Sequence, residues 1–555
     1  MNVPTLRDYQ IKAVESIEAE WEEKQSTFMV MCTGGGKTTI FCELISRRPK
    51  GRAMIVAHRE ELIYQAAERL ALMTGSTPQI EMAYMHATGG LFGFGNVVAS
   101  IQSLISGNGT KRYEKFNPDD FTTLVIDEGH HSCAVSYRLV IDHFKKNPNC
   151  KILGVSATPD RADEKSLGMI YESNAVDYDI LNGINDGWLV PIKQQFVMAK
   201  DLDLSACRTT AGDLNGADLA RVMEYEAVLH EVAGPTLEIC GERKTLIFTA
   251  SVAQAERLAE ILNRHRPDCA QWVHGGTPKD VRKEMFADYS RGRFQFLVNV
   301  GITTEGWDEP LVEVIVQARP TKSRALYAQT IGRSTRPLPG LVDQYPAAEE
   351  RKAAIAASAK PSALVLDFVG NSGRHKLMTT ADVLGGNYDD DIIELAERNA
   401  KRTGVSVDMR ECLQDAARQK HEEAERRKRE EAARRQAIRA NVQYSARDVN
   451  PFEVFDLQPA RQREWDKGKP VSEKMRGILE KQGIDPDKLS FSEARQILGQ
   501  IFHRWDKGLC SFKQAKLLKK NGLPGDVTRE QAKIWIDRIA QNGWRCPPDI
   551  RSSVA

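Results

Sequence analysis

The stretch Met31-Cys32-Thr33-Gly34-Gly35-Gly36-Lys37-Thr38 follows the apolar run Phe28-Met29-Val30. A strand that runs into a glycine-rich turn ending in Lys-Thr is the wiring of a phosphate cradle. Glycines let successive backbone N–H groups turn onto phosphate oxygens, and the helix that follows adds its positive N-terminal dipole. In such a cradle Thr33, Gly34, Gly35 and Gly36 wrap the phosphates, Lys37 reaches the β- and γ-phosphates, and the Thr38 hydroxyl ligates Mg²⁺. ATP or a relative is the expected substrate. The usual pattern begins with glycine, and Met31 holds that place here. The alternative is a tight strand-to-helix turn with a surface lysine.

Outward from this loop, short β-branched strands alternate with helical stretches from residue 27 to about 370. Strands are expected at Thr27–Met31, Ala53–Ala57, Val97–Ser100, Thr123–Ile126 and Ile152–Val155. A second series is expected at Thr245–Phe248, Gln271–Val273, Phe294–Val298, Val312–Val316 and Ala363–Asp367. Such alternation predicts βαβ units and parallel sheets. Two series parted near Gly187–Pro191 predict two α/β domains, and the polar stretch Leu202–Leu214 reads as a surface loop opening the second.

Composition narrows the class. At 555 residues the chain has room for about three domains. Hydrophobic content of 41% supports real cores, and charged content of 28% fits a soluble intracellular protein. No apolar run approaches the roughly 20 residues of a membrane span. The start, Met-Asn-Val-Pro-Thr-Leu-Arg, lacks the apolar stretch of a signal peptide. The ten cysteines include no C-x-x-C pair, so they read as reduced thiols in a cytoplasm rather than a disulfide framework or zinc ribbon. Net charge is +1, yet residues 461–555 hold 20 Lys+Arg against 12 Asp+Glu, which makes that tail +8 and the rest about −7. A basic tail on a mildly acidic body points to polyanion contact at the C-terminal end.

Residues 388–450 change character. Glu422/Arg426, Glu423/Arg427, Glu425/Arg429, Glu430/Arg434 and Glu431/Arg435 are Glu-to-Arg pairs at i,i+4, the spacing of a solvated helix. Beyond them the sequence repeats itself. Arg463-Glu464-Trp465-Asp466-Lys467-Gly468 recurs as His503-Arg504-Trp505-Asp506-Lys507-Gly508, and Ile478–Gly483 recurs as Leu517–Gly522. With Trp544 the tryptophan spacing stays near 40. Tandem helical hairpins are expected, with tryptophans packed at their seams. Their basic setting leaves base stacking open.

The run Phe121-Thr122-Thr123-Leu124-Val125-Ile126 ends in Asp127-Glu128-Gly129-His130-His131. A strand-terminal acidic pair some ninety residues after Gly-Lys-Thr belongs beside the phosphates. There Asp127 would hold the Mg²⁺ shell, and Glu128 would orient or deprotonate the attacking water.

These motifs resemble those of the superfamily-two helicases and translocases over roughly residues 5–370. Asp127-Glu128-Gly129-His130 is similar to their Asp-Glu-x-His box, with Gly129 in the usual alanine place. Ser156-Ala157-Thr158-Pro159 resembles the motif that couples hydrolysis to movement. Leu6-Arg7-Asp8-Tyr9-Gln10 resembles the segment whose glutamine reads the adenine. Ala57-His58-Arg59-Glu60-Glu61-Leu62 and Ser100-Ile101-Gln102-Ser103 sit where strand-gripping motifs belong. In the second half, Thr245–Thr249 and His274-Gly275 resemble motif IV and the strand after it. Gly301–Asp308 resembles motif V, and Gln329-Thr330-Ile331-Gly332-Arg333-Ser334-Thr335-Arg336 resembles motif VI.

The resemblance implies two tandem RecA-like parallel-sheet α/β domains followed by an all-α C-terminal region. The expected divisions are 1–186, 187–372, a charged helical linker at 373–450, and the tandem repeat at 451–555 as a nucleic-acid or protein docking module. It further implies that Arg7, Gln10, Gly306 and Asp308 join the loop in holding ATP. Gln329, Arg333 and Arg336 would act catalytically from the opposite wall, the two arginines as fingers on the γ-phosphate. Arg59, Ser100, Gln102, Thr249, His274 and Thr303 would contact nucleic acid, with Ser156, Ala157 and Thr158 as the coupling segment. The branch it resembles acts on DNA, which makes DNA the expected partner before RNA. The open alternatives are a duplex translocase without strand separation, an RNA helicase, and a binding adaptor with a degenerate ATP site. The tail is similar to those of phage-encoded proteins of this kind, which would place the chain in a host cytoplasm.

Overall fold

The computed structural model describes residues 5–48, 50–88, 95–157, 164–210, 212–302, 307–373, 375–385, 388–438, 452, 455, 457, 466, 468–544, 546–547 and 550. The chain forms two compact units, Met1–Gly386 with Asp391–Ala416 and Asn387–Asp390 with Ala417–Ala555. Among the described residues no helix is long and apolar enough to cross a membrane. All ten cysteines are free thiols.

The first unit contains two sheets. Its first lobe is built on β1 (Ser26–Met31), β2 (Arg52–Ala57), β3 (Gln79–Glu81), β4 (Val97–Ser100), β5 (Phe121–Asp127), β6 (Lys151–Ser156) and β7 (Ser173–Tyr178). These run parallel in the order β3-β4-β2-β5-β6-β1-β7. β1 and β4 are buried along their whole length, as strands covered on both faces must be. The helix Asp8–Glu23 covers one face through Val14, Ile17 and Trp21, and Glu60–Thr74 buries Ile63, Ala66 and Leu70, stripes at helical spacing. Parallel strands bring their C-terminal ends to one edge. The loop after β1, Asp127 at the end of β5 and Ser156 at the end of β6 therefore share that edge.

The second lobe contains β8 (Ile192–Asp203), the hairpin β9 (Thr209–Thr210) and β10 (Asp213–Leu214), then β11 (Thr245–Thr249), β12 (Ala270–His274), β13 (Phe296–Val300), β14 (Val314–Ala318), β15 (Ala363–Asn371) and β16 (Val407–Asp408). Its sheet runs β12-β13-β11-β14-β15-β8-β16, parallel except for β16. β13 and β14 start two residues later than the sequence suggests. An even shift leaves the same side chains on the same faces.

Two expectations are corrected. Leu202–Leu214 is not a surface loop: β8 continues through Leu202, and Leu204, Cys207 and Leu214 are buried in the second lobe's core. Nor does that lobe stop at residue 372. The helix Asp390–Thr403 buries Ile392, Ile393, Ala396 and Ala400, and β16 adds to the sheet through Val407 opposite Gln194. The charged stretch itself is the helix Met409–Ile438. The pairs Glu425/Arg429, Glu430/Arg434 and Glu431/Arg435 involve side chains outside the described residues.

A buried polar cluster fastens the helix Arg324–Ile331 to this sheet. The Tyr327 hydroxyl donates to Asp367 Oδ2 at 2.5 Å, and Gln194 Nε2 donates to the same oxygen. Burial pushes the Asp367 carboxyl up to about 7. Between the lobes, Trp188 lies under the guanidinium groups of Arg7 at 4.4 Å and Arg351 at 4.0 Å. Val190 N–H donates to the Thr335 carbonyl at 2.8 Å, so the connector is tied directly to the residues that follow that helix.

In the second unit the helices Glu473–Lys481, Phe491–Asp506, Phe512–Lys520 and Arg529–Gln541 are each capped by a side-chain hydroxyl, from Ser472, Ser490, Ser511 and Thr528. Leu479, Ile497, Ile501, Phe512, Leu518 and Ile539 fill their core. The tryptophans do not: Trp505 is 41% exposed and Trp544 63%. Core packing at the seams is therefore overturned for these two, because aliphatic residues already occupy the inward positions. Trp465 lies outside the described residues.

Candidate functional site

The turn after β1 needs its glycines. Gly34 and Gly36 have φ of 83° and 79°, and Gly36 caps the helix Lys37–Ser46. A Cβ on Gly36 would lie 2.3 Å from Gln10 Nε2, and one on Gly34 would lie 3.1 Å from Arg336 Nε. The Tyr9 hydroxyl and Gln10 Nε2 each donate to the Gly35 carbonyl at 3.0 Å, bracing the loop from the first helix. Met31 is the last residue of the strand and fully buried, and its sulfur would lie 2.7 Å from a Cβ on Gly35. Its side chain packs beneath the loop, where a glycine would leave a void.

At the end of β5, Glu128 takes a left-handed backbone, φ 50° and ψ 50°, which turns its side chain back toward the loop. Its Oε1 accepts from Lys37 Nζ at 2.9 Å, and its Oε2 lies 3.3 Å from His130 Nδ1. Burial alone would raise its pKa. The Lys37 ammonium and His130 outweigh that and hold the carboxyl well below the usual carboxylate range. His130 Nδ1 also lies 2.9 Å from Ser156 Oγ. Glu128, His130 and Ser156 thus form one chain from the phosphate loop to the end of β6. Asp127, buried beside them, accepts from the Glu128 N–H at 3.0 Å.

The opposite wall comes from the second lobe. Gln329 lies on the helix Arg324–Ile331, and Gly332, Arg333 and Arg336 follow it. A Cβ on Gly332 would stand 2.6 Å from Thr33 Cβ, so glycine is what lets this turn rest on the phosphate loop. Arg333 donates to the Trp307 carbonyl, and Arg336 pairs with Asp308. Burial lowers the Arg336 pKa to about 10, which leaves it charged at neutral pH. Between the walls lies a cavity of about 750 Å³ lined by Thr33, Gly34, Gly36, Lys37, Thr38, Asp127 and Glu128 from one lobe and by Trp307, Asp308, Gln329, Arg333 and Arg336 from the other. That volume suits a small-molecule ligand of nucleotide size.

The remaining sequence-predicted positions divide. Arg7 lines the cavity and pairs with Asp343 at 2.7 Å. Gln10 does not reach into it: its Nε2 is on the Gly35 carbonyl and its Oε1 accepts the Arg7 N–H at 2.9 Å. Arg59 crosses to the second lobe, where it donates to the Gly301 carbonyl at 3.1 Å. Beside it Glu60 meets Lys279 at 2.7 Å and Glu61 meets Arg282 at 3.1 Å. Gln102 Nε2 donates to the His58 carbonyl at 3.0 Å, and Ser100 Oγ donates to Gln102 Oε1 at 2.6 Å. His274 stacks on Trp272 at 5.4 Å. Thr249 is buried, with its hydroxyl on the Asn299 carbonyl at 3.0 Å. Ser156 and Ala157 are also buried. Thr158, Thr303 and Gly306 lie outside the described residues.

Lys360, which no motif marks, belongs to this construction. Only 1% exposed, its ammonium donates to the carbonyls of Pro310 at 2.7 Å and Arg336 at 2.8 Å. It therefore pins the segment after Asp308 to Arg336 itself. Burial lowers its pKa to about 7. Lys360→Met should reduce turnover about ten- to a hundredfold, the effect of misplacing a reacting group by about an ångström, with nucleotide affinity little changed. The folded state holds fewer protons than the unfolded one between pH 7 and the ordinary lysine range, so this group's contribution to stability grows as pH rises through that window and is lost below it. The Met variant should lack that slope in thermal melts, and an unchanged kcat would show that the two carbonyls are held without the lysine.

Comparisons with known proteins fall on the same segments. A family model described as "Type III restriction enzyme, res subunit" matches residues 4–161, and one described as "Helicase conserved C-terminal domain" matches residues 227–337. "Putative ATP-dependent helicase IRC3" of Saccharomyces cerevisiae is 31% identical over 60% of this chain and 50% of its own length. A "51.5 kDa protein" of a Lactococcus phage is 25% identical over 55% of this chain and 61% of its own. The "Type I restriction enzyme EcoAI endonuclease subunit" of Escherichia coli is 26% identical over 60% of this chain and 44% of its own. The chain spans about half the length of the curated relatives it matches.

Proposed function

This chain belongs to the superfamily-two helicases and translocases, and on that premise we propose that its two lobes close on ATP and couple hydrolysis to movement along DNA. The observation that carries the reading is the cavity walled by Lys37, Thr38, Asp127 and Glu128 on one side and by Gln329, Arg333 and Arg336 on the other. A degenerate adaptor would have little use for all seven.

In this reading the backbone N–H groups of the loop and Lys37 take the triphosphate. With phosphate present Lys37 turns toward it, which releases Glu128 to accept a proton from water. Until that turn the Lys37 ammonium and His130 hold Glu128 ionised, and release from Lys37 raises its basicity toward the water. Arg333 and Arg336 offset the charge that develops on the γ-phosphate. The donor set suits Mg²⁺: one hydroxyl, Thr38, and one carboxylate, Asp127, line the cavity together, and this ion takes few protein ligands beside phosphate and water. When bound it would neutralise charge on the β- and γ-oxygens. Hydrolysis removes the group that bridges the walls, and the lobes then part. The Glu128–His130–Ser156 chain would carry that change to the coupling segment.

DNA is favoured because the matching family model and the Escherichia coli relative bear restriction-enzyme names. The same names support a duplex translocase that moves without parting the strands. Arg59, Ser100, Gln102, His274 and Thr303 would contact the phosphate backbone, giving little sequence preference and marked salt dependence. ATP hydrolysis measured with no polymer, single-stranded DNA, duplex DNA and RNA in parallel tests the reading. Stimulation by either DNA form above RNA is expected; equal rates in all four would remove the motor assignment, and stimulation by RNA alone would redirect it.

A further inference from the structure

The second unit lies beyond both family matches, and its two helical hairpins repeat in sequence at an offset near 39. Ser472 and Ser511 cap equivalent helices, Gly483 and Gly522 end them with φ of 74° and 75°, and Ile484 and Leu523 are buried just after. All three pairs are 39 residues apart, and so are Trp505 and Trp544. Trp505 lies in the last turn of the helix Phe491–Asp506, before Gly508, and Trp544 follows Gly543 after the helix Arg529–Gln541. Each ring thus stands at the C-terminal end of its hairpin's second helix, and both are exposed.

Each end carries a further sign of use. Trp505 packs edge-on against Phe502, itself exposed, with ring centroids 5.3 Å apart. Just beyond it the Gly508 carbonyl accepts the Arg529 N–H at 3.2 Å and the exposed Arg529 side chain donates its Nε to the Leu509 carbonyl at 3.3 Å, so an arginine is tied to the turn that follows Trp505. Trp544 has a left-handed backbone, φ 62°, directly after Gly543 at 63°. A bulky residue rarely takes this conformation, and here it directs the ring into water rather than into a core. Along the chain between the two tryptophans comes the helix Phe512–Lys520, which contains Lys513, Lys516, Lys519 and Lys520 and no carboxylate.

We infer that these repeats bind single-stranded DNA, with Trp505 and Trp544 each stacking an unpaired base and the lysine helix with Arg529 holding the intervening phosphates. Solvent-facing rings alternating with cations match a polymer whose flat apolar bases alternate with anionic links. Paired bases offer no free face to such rings, which is why the single strand is the occupant. That the polymer is DNA rests on the motor reading above.

The test uses the full chain without nucleotide and follows the anisotropy of labelled oligo(dT), oligo(rU) and a DNA duplex of equal length. Replacing both residues, Trp505→Ala with Trp544→Ala, should weaken oligo(dT) binding at least about tenfold, and phenylalanine at both positions should restore most of it. Unchanged oligo(dT) affinity in the alanine pair would overturn the proposal in favour of protein docking. Equal losses for oligo(dT) and duplex would overturn stacking, and tighter binding of oligo(rU) would overturn the choice of DNA. Because no ATP is turned over, these outcomes are separate from any failure of the hydrolysis assay.

Discussion

Lys37→Ala is expected to bring DNA-stimulated ATP hydrolysis down by about 10²–10³-fold or more, the scale on which losing one preorganised charge donor is felt. The loss has two sources that can be told apart. The first is the phosphate contact itself, which a lysine at the start of the helix Lys37–Ser46 is placed to make. The second is Glu128. This carboxyl is 4% exposed and ionised, and Lys37 is its nearest cation at 2.9 Å. Removing the ammonium leaves a buried charge with much less compensation, a change that typically costs about 3–5 kcal/mol. The variant should therefore melt lower at neutral pH, and adding Glu128→Gln should return much of that stability without returning turnover. Undiminished turnover in Lys37→Ala would defeat the phosphate-loop assignment. An unchanged melt would show that His130 alone suffices for Glu128.

The chain made parts of this site easy to read. Its central strands are buried on both faces, so β1, β2, β4, β5 and β6 carry unbroken apolar runs that end in marked residues: the glycine loop, Asp127 and Ser156. Edge strands lack that signature. β3 has three residues, and β7 has a single buried position. β8 alternates, and its buried Gln194 interrupts the apolar pattern because its amide serves Asp367. The hairpin β9–β10 is too short to register as a period. Amphipathic packing in a polar sequence explains the second lobe's late boundary: the helix Asp390–Thr403 offers four buried apolar positions among charged neighbours.

Side-chain chemistry divides in the same way. Motif residues announce themselves through neighbours, but Lys360 acts by reaching backbone carbonyls fifty and twenty-four positions away, which no local spacing encodes. Gln10 shows the converse. The resemblance assigns it to the adenine, whereas in the folded chain its Nε2 braces the loop at Gly35 and its Oε1 caps its own helix at the Arg7 N–H. The repeat was legible as a repeat, yet tryptophan's size argued for burial. Only the fold reveals that isoleucine and leucine already fill the seams.

Arg336→Ala is expected to lower turnover by about 10³–10⁵-fold while leaving ATP affinity nearly intact, the signature of a charge used chiefly in the transition state. The two lobes make this separation measurable. Most of the ground-state hold on the phosphates would come from the loop on the first lobe, which Arg336 approaches at Gly34. Its guanidinium is buried, still charged at neutral pH, and paired with the more exposed Asp308. Alanine therefore removes a desolvated charge and returns its partner to water, so the fold should lose little stability. Arg333→Ala should behave differently. Arg333 donates to the Trp307 carbonyl, and the Trp307 ring packs on Phe286 at 5.1 Å and Tyr289 at 6.0 Å, so truncation there should loosen a wall of the cavity and weaken binding together with turnover. Equilibrium nucleotide binding alongside single-turnover hydrolysis distinguishes the two arginines. If Arg336→Ala lost affinity while the bound nucleotide still reacted at the original rate, the residue would be a clamp on the ground state, and the second lobe would supply shape rather than charge to the reaction.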